Sequence, residues 1–141
     1  MVRLINDKEI PIVSNMLKDM SKELWSDLAS DNYLLYERYI RSILFTNKTR
    51  IYVDDLYRGF FIVRDETVEY IPNRKIVNGQ AVYIKPEHRY KNILNEFYDK
   101  LFEDYKDYEI WGLTEYDSEH NKVLLKRHIP VAIVYKLQRS K

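Results

Sequence analysis

Seven consecutive residues, Pro86-Glu87-His88-Arg89-Tyr90-Lys91-Asn92, combine a strand terminator with side chains that donate hydrogen bonds to oxygen. A β-branched and aromatic run precedes them and a long amphipathic run follows, so they read as the turn from a strand into a helix. Such turns hold phosphates. First-turn N–H groups have no acceptor within the helix, and the positive end of the helix dipole lies there. Arg89, Lys91 and Asn92 therefore have two readings, phosphate contacts or a solvated helix start. Pro86 reads as a plain strand end. The turn contains no glycine, but Asn92 is the residue type that best replaces one, because asparagine tolerates positive φ.

Other side chains could move protons. Glu69 and Glu115 can orient an amine or accept its proton, although most carboxylates on strands simply face solvent. Tyr116 follows a strand-like run containing Trp111. That places it at a strand C-terminus, where ligands bind in open α/β sheets. Asn121 can bond to a ligand or satisfy the backbone of its own helix. His88, His120 and His128 lack metal-ligand spacing, and no metal site is expected. The chain has no cysteine, which excludes disulfides and thiolate chemistry. Asp54-Asp55 and Asp65-Glu66 read as turn residues. Lys126-Arg127-His128 reads as a basic helix end, with phosphate or nucleic acid as the alternative partner.

The 141 residues are 45% hydrophobic and 32% charged, the composition of one globular domain, residues 1–141. Net charge is +1, from 23 basic and 22 acidic side chains, which disfavours nucleic acid as a bulk partner. MVRLINDKEI lacks the apolar core of a signal peptide. No apolar run approaches the ~20 residues a membrane helix needs. A cytoplasmic protein without membrane contact is the expectation.

Periodicity then supplies the elements that position these residues. Residues 2–6 read as a short strand. Asp7 is placed as the cap of a helix from Lys8, with Pro11 in its first turn, and Ser30 or Asp31 as the cap of a second helix ending at Thr46-Asn47. Residues 50–54 and 58–64 read as a hairpin, 67–71 as a third β segment broken by Pro72, Asn78-Gly79 as a turn, and 80–85 as the next strand. Residues 89–106 form the strongest helix, with Ile93, Leu94, Phe97, Leu101 and Tyr105 as its stripe. A strand over 108–114, a short helix over 118–128 and a strand over 131–137 follow. The alternation predicts that strands 80–85 and 108–114 are parallel neighbours.

This order, with Ile84, Pro86, Arg89, Tyr90, Lys91, Asn92, Ile93 and Leu94 in the strand–turn–helix stretch and Asn121 before LLKRHIPVAIVYKL, resembles the GNAT family of acyl-CoA N-acyltransferases. The PEHR tetrapeptide looks like the GNAT-like proteins of phages and prophages. The resemblance implies an α/β fold with a mixed central sheet flanked by helices on both faces, in which strands 80–85 and 108–114 diverge at their C-terminal ends. It implies acetyl-CoA as cofactor and an unidentified amine as acceptor. Backbone N–H groups at Arg89, Tyr90, Lys91 and Asn92 would hold the pyrophosphate, Tyr83 and Ile84 would pair with pantetheine, and Asn121 would contact it. Asn92 and Leu94 stand where the family has glycine and a small residue, and Leu125 stands where it often has an acid tyrosine. Tyr116 is then the substitute acid and Glu69 the candidate base. These departures carry the other reading, a GNAT-shaped protein without catalysis, such as a phage virion component or a host-protein binder.

Overall fold

The computed structural model describes residues 1–89 and 92–112. The elements are β1 (Val2–Leu4), α1 (Ile10–Leu24), α2 (Tyr33–Leu44), β2 (Thr49–Asp54), β3 (Gly59–Asp65), β4 (Ile76–Ile84), α3 (Ile93–Asp104) and β5 (Glu109–Gly112), with single 3-10 turns at Asp7–Glu9 and Pro86–His88. The five strands form one sheet in chain order. β1 to β4 are antiparallel to their neighbours, and β4 and β5 are parallel. β4 and β5 are joined through α3, the kind of crossover that a parallel pair requires, while α1 and α2 lie between the antiparallel β1 and β2. The fold is therefore α/β with a mixed sheet.

Side-chain alternation sends the two faces of the sheet to different helices. Ile51, Val53, Phe60 and Ile62 pack with Ile10, Val13, Met16, Leu17, Tyr36 and Ile40 of α1 and α2. Tyr52, Phe61 and Val63 pack with Ile93, Phe97 and Leu101 of α3. Helices thus cover both faces, as expected. A side chain as large as Phe97, almost fully buried, contributes ~2–3 kcal/mol by leaving water.

Both N-terminal helices start one position or more from the expected cap. Asn6, not Asp7, caps the Asp7–Glu9 3-10 turn that runs into α1: its side chain accepts from the Lys8 N–H at 3.0 Å, and the Glu9 carboxylate accepts from the Asn6 N–H at 3.0 Å. This reciprocal pair satisfies two otherwise unpaired donors. Asn32, not Ser30 or Asp31, caps α2 through the Leu34 N–H at 3.1 Å. The hydroxyl of Tyr36 instead donates to the Ser30 carbonyl.

Two strand expectations are corrected between β3 and β4. Residues 67–71 form no strand. The Thr67 N–H donates to the Asp65 carboxylate and the Ile71 N–H to the Val68 carbonyl, each at 2.9 Å, so this stretch is held locally as a loop, while the Thr67 hydroxyl accepts from the Ile76 N–H at 3.0 Å at the start of β4. Asn78-Gly79 is not a turn but lies inside β4. Ile62 faces Ala81 while Val63 faces Gly79, so the register skips Gln80. This bulge reverses the alternation of β4. Val77 packs towards α3, as do Val82 and Ile84, while Ala81 and Tyr83 pack towards α1 and α2.

The expected parallel partnership holds, but it runs through Ile76–Gly79 against Glu109–Gly112 rather than through residues 80–85. The divergence of the two strands, the helix over 118–128 and the strand over 131–137 lie outside the described residues.

Candidate functional site at the β4–α3 turn

β4 delivers the chain to the donor-rich turn. Gly59 faces Ile84 and Phe60 faces Tyr83 across β3, and the Lys85 N–H donates to the Arg58 carbonyl at 2.8 Å. These contacts fix the strand up to its last residue. Pro86 opens the 3-10 turn, with the His88 N–H donating to the Lys85 carbonyl at 2.9 Å. His88 is half-buried. Its Nδ1 is shielded and has no hydrogen-bond partner among the described residues.

Asn92 then adopts the left-handed conformation, φ 60° and ψ 15°, immediately before α3. Only two non-glycine residues, Tyr57 and Asn92, have positive φ among the described residues. Asn92 therefore supplies the backbone shape that glycine would supply, as its residue type suggested. Its carbonyl accepts from the Glu96 N–H at 3.3 Å, and its side chain makes no cap to the helix. The first turn of α3 therefore carries no side-chain cap, and a helix N-terminus attracts anions. Ile93 is buried and Leu94 half-buried, with Leu94 packed against the α3-side core. The branched side chain at position 94 is thus partly taken up by packing.

The side chain of Arg89 is bonded to neighbouring elements of the fold at the surface. Its Nε donates to the Ile84 carbonyl at 2.9 Å, and its two terminal nitrogens donate to the two carboxylate oxygens of Glu23 at 2.6 and 2.7 Å. The guanidinium carbon stands 5.8 Å from the Tyr83 ring centroid, within range of a cation–π contact. The bonds from Arg89 hold the Glu23 carboxyl below its ordinary range. Burial, followed by the nearby charges of Glu23 and Asp19, pushes the Tyr83 hydroxyl up. Tyr83 is buried in the α1–α2 core. Its side chain is therefore structural, and what it can offer a ligand is backbone.

The sequence did not single out Glu23. It sits in the last turn of α1, 66 residues before Arg89, and no local signal links two charges so far apart in the chain. Glu66 was assigned only to turn chemistry. Its carboxylate accepts from the side-chain amides of Asn78 and Gln80 at 3.3 and 3.4 Å, so it faces the bulge of β4. Glu69 is exposed in the neighbouring loop and lines a cavity of about 540 Å³ with Lys48, Arg64, Thr67 and Tyr70. Tyr90, Lys91, Glu115, Tyr116 and Asn121 lie outside the described residues. Among the described residues, no group of three acidic or histidine side chains is arranged to hold a metal. No helix among them is long and apolar enough to cross a membrane.

No protein-family model and no curated protein matches the chain. Solved structures match it along its length. A possible acetyltransferase from Clostridium difficile 630 is 13% identical, with a TM-score of 0.77 over 100% of this chain and 98% of that one. The ribosomal-protein-alanine N-acetyltransferase of Brucella melitensis biovar Abortus 2308 is 15% identical, with a TM-score of 0.74 over 100% and 99%. A predicted acetyltransferase from Clostridium acetobutylicum, solved with acetyl-CoA, is 12% identical, with a TM-score of 0.73 over 98% and 95%. At these identities the likeness speaks for architecture: the chain has the GNAT-like fold of acetyltransferases.

Proposed function

We propose that the protein is a single-domain N-acyltransferase, residues 1–141, that binds acetyl-CoA at the β4–α3 turn and transfers the acyl group to an amine. The carrying observation is the left-handed Asn92 at the mouth of α3. It preserves, without glycine, the backbone that lets first-turn N–H groups face a pyrophosphate. The backbone around Arg89, Tyr90, Lys91 and Asn92 holds the phosphates, and Tyr83 and Ile84 offer strand backbone to pantetheine. Asn121 keeps its contact with pantetheine.

The chemistry required is attack by a neutral amine on the thioester carbonyl. The C–N bond forms, the C–S bond breaks, the amine loses a proton and the thiolate gains one. Tyr116 is the proposed acid toward the thiolate. Glu69 is the proposed group that receives the amine's proton.

A second reading, a catalytically silent GNAT-shaped interaction protein such as a virion component or host-protein binder, draws on one observation: the Arg89 fork is closed on Glu23. Titration calorimetry of the full chain with CoA and acetyl-CoA separates the two. Saturable binding of both, with slow transfer to primary amines, is the expected result. Absence of heat at millimolar cofactor would overturn the enzyme reading and leave the silent one.

A further inference from the structure

Arg89 and Glu23 together join three elements at the entrance of the proposed cofactor site. Arg89 belongs to the turn, its Nε is bonded to the last residue of β4, and its two terminal nitrogens are bonded to the last turn of α1. The planar fork of arginine meets a carboxylate in two parallel bonds, which fixes orientation as well as distance. The guanidinium carbon also stands 5.8 Å from the Tyr83 ring centroid. Side chains at this pair are 38% and 41% exposed, so its worth to global stability is small. Its effect is on position.

We infer that Glu23 is a positioning residue for cofactor binding: through Arg89 it brackets the β4–α3 turn to α1, and Arg89 serves as the bracket rather than as a phosphate ligand. This rests on the acetyl-CoA reading above, but it assigns the work differently. The anion is met by backbone N–H groups of the turn, and Glu23, in the last turn of α1, keeps those groups aimed. The bracket also ties the cofactor turn to the end of α1. Beyond that end Trp25, Leu28 and Ala29 line an open cavity of about 360 Å³ with Ser21 and Tyr36.

Direct phosphate contact and bracketing make opposite predictions for one substitution. Glu23→Ala frees the Arg89 guanidinium. If Arg89 binds phosphate, CoA affinity rises. If Arg89 is a bracket, affinity falls by about five-fold, since one bidentate pair is lost. The exchanged pair Glu23→Arg with Arg89→Glu completes the test. Bracketing predicts CoA affinity restored to within about three-fold of the parent. Direct contact predicts that a carboxylate at position 89 abolishes binding.

A readout without cofactor accompanies it, so that failure of the acetyl-CoA reading is told apart from failure of the bracket. Amide hydrogen exchange at Glu87, His88 and Arg89 should quicken about three-fold or more in Glu23→Ala and return towards the parent in the exchanged pair. Unchanged exchange in Glu23→Ala overturns the bracket, whether or not CoA binds. If the parent binds no CoA, the acetyl-CoA reading fails and exchange alone decides whether Glu23 holds the turn. Tighter CoA binding by Glu23→Ala overturns the inference and returns Arg89 to the phosphate.

Discussion

Gly59 lies so close to the carbonyl oxygen of Tyr83 that a Cβ at position 59 would fall well inside van der Waals contact of it, and a second backbone atom, the Ile84 Cα, would be 3.1 Å away. Backbone cannot rotate aside as a side chain can. The approach brings β3 against the last two residues of β4, which feed the β4–α3 turn. Gly59→Ala should therefore cost roughly 2–3 kcal/mol through overpacking, read as a lower denaturation midpoint. Gly112, where an added Cβ meets nothing within 4 Å, is the control. Gly112→Ala should be neutral or slightly stabilising. Equal losses at the two positions would show that the approach at Tyr83 is not what demands glycine.

Glu9 makes the second prediction. It is buried, bonded by both terminal nitrogens of Arg3 at 2.7 Å, by the Tyr57 hydroxyl at 2.6 Å and by the Asn6 N–H. These bonds, Arg3 first, lower its carboxyl to about 2 from an ordinary 4.5. A lowered folded-state value means that the ionised carboxylate stabilises the fold fully above the unfolded value, and that this is lost as pH falls through about 2. Glu9→Gln should cost about 2 kcal/mol at neutral pH. The gap to the parent should narrow between about pH 4.5 and pH 2. A gap independent of pH would mean that shape, not charge, is what Glu9 supplies.

Tyr52 is fully buried under α3, and its hydroxyl donates to the Asp104 carboxylate at 2.7 Å. Burial first, then the bond to Asp104, pushes its ionisation far up. Tyr52→Phe should cost about 1.5–2 kcal/mol, the net worth of one hydrogen bond to a charged group. Asp104→Asn in the Tyr52→Phe background should then cost much less than in the parent. A double-mutant cycle measures this, and additive losses would show that the two groups are not coupled.

Much of this architecture was legible because it is written in period. The α3 stripe at Ile93, Phe97, Leu101 and Tyr105 is buried as its spacing required. The β2–β3 hairpin and the parallel β4–β5 pair follow from alternation and from the helix between the strands. The reading failed where a local preference was overridden from outside. Asn78-Gly79 has turn chemistry, yet β3 and β5 pair on either side of it. The Phe61 ring lies 3.2 Å from where a Gly79 Cβ would be, so glycine there answers packing rather than a turn. Residues 67–71 have β-formers, but the Asp65 side chain claims the Thr67 N–H, and the Thr67 hydroxyl claims the Ile76 N–H at the start of β4. At the site, Asn92 could be read from residue type. The Glu23–Arg89 pair could not, because long-range charge partners leave no trace in spacing.

The last prediction sets Asn92 against Leu94, the two positions where the resemblance to glycine-rich cofactor turns is broken. The left-handed backbone at Asn92, φ 60°, costs other non-glycine residues ~1–2 kcal/mol. Asn92→Ala should therefore lower stability by about 1 kcal/mol and weaken CoA binding several-fold, because strain is relieved by moving the turn. Asn92→Gly, free to keep the conformation, should leave both near the parent. Leu94 is half-buried against the α3-side core, so Leu94→Ala should cost about 1–2 kcal/mol, below the range for a fully buried leucine. A side chain engaged in packing is not shielding an anion, and Leu94→Ala should leave CoA affinity within about two-fold of the parent. Melting curves and calorimetry on the three single variants give both axes at once. Tighter CoA binding by Leu94→Ala would show that Leu94 shields the phosphates after all. Equal CoA affinity in Asn92→Ala and Asn92→Gly would show that the left-handed turn is not what receives them.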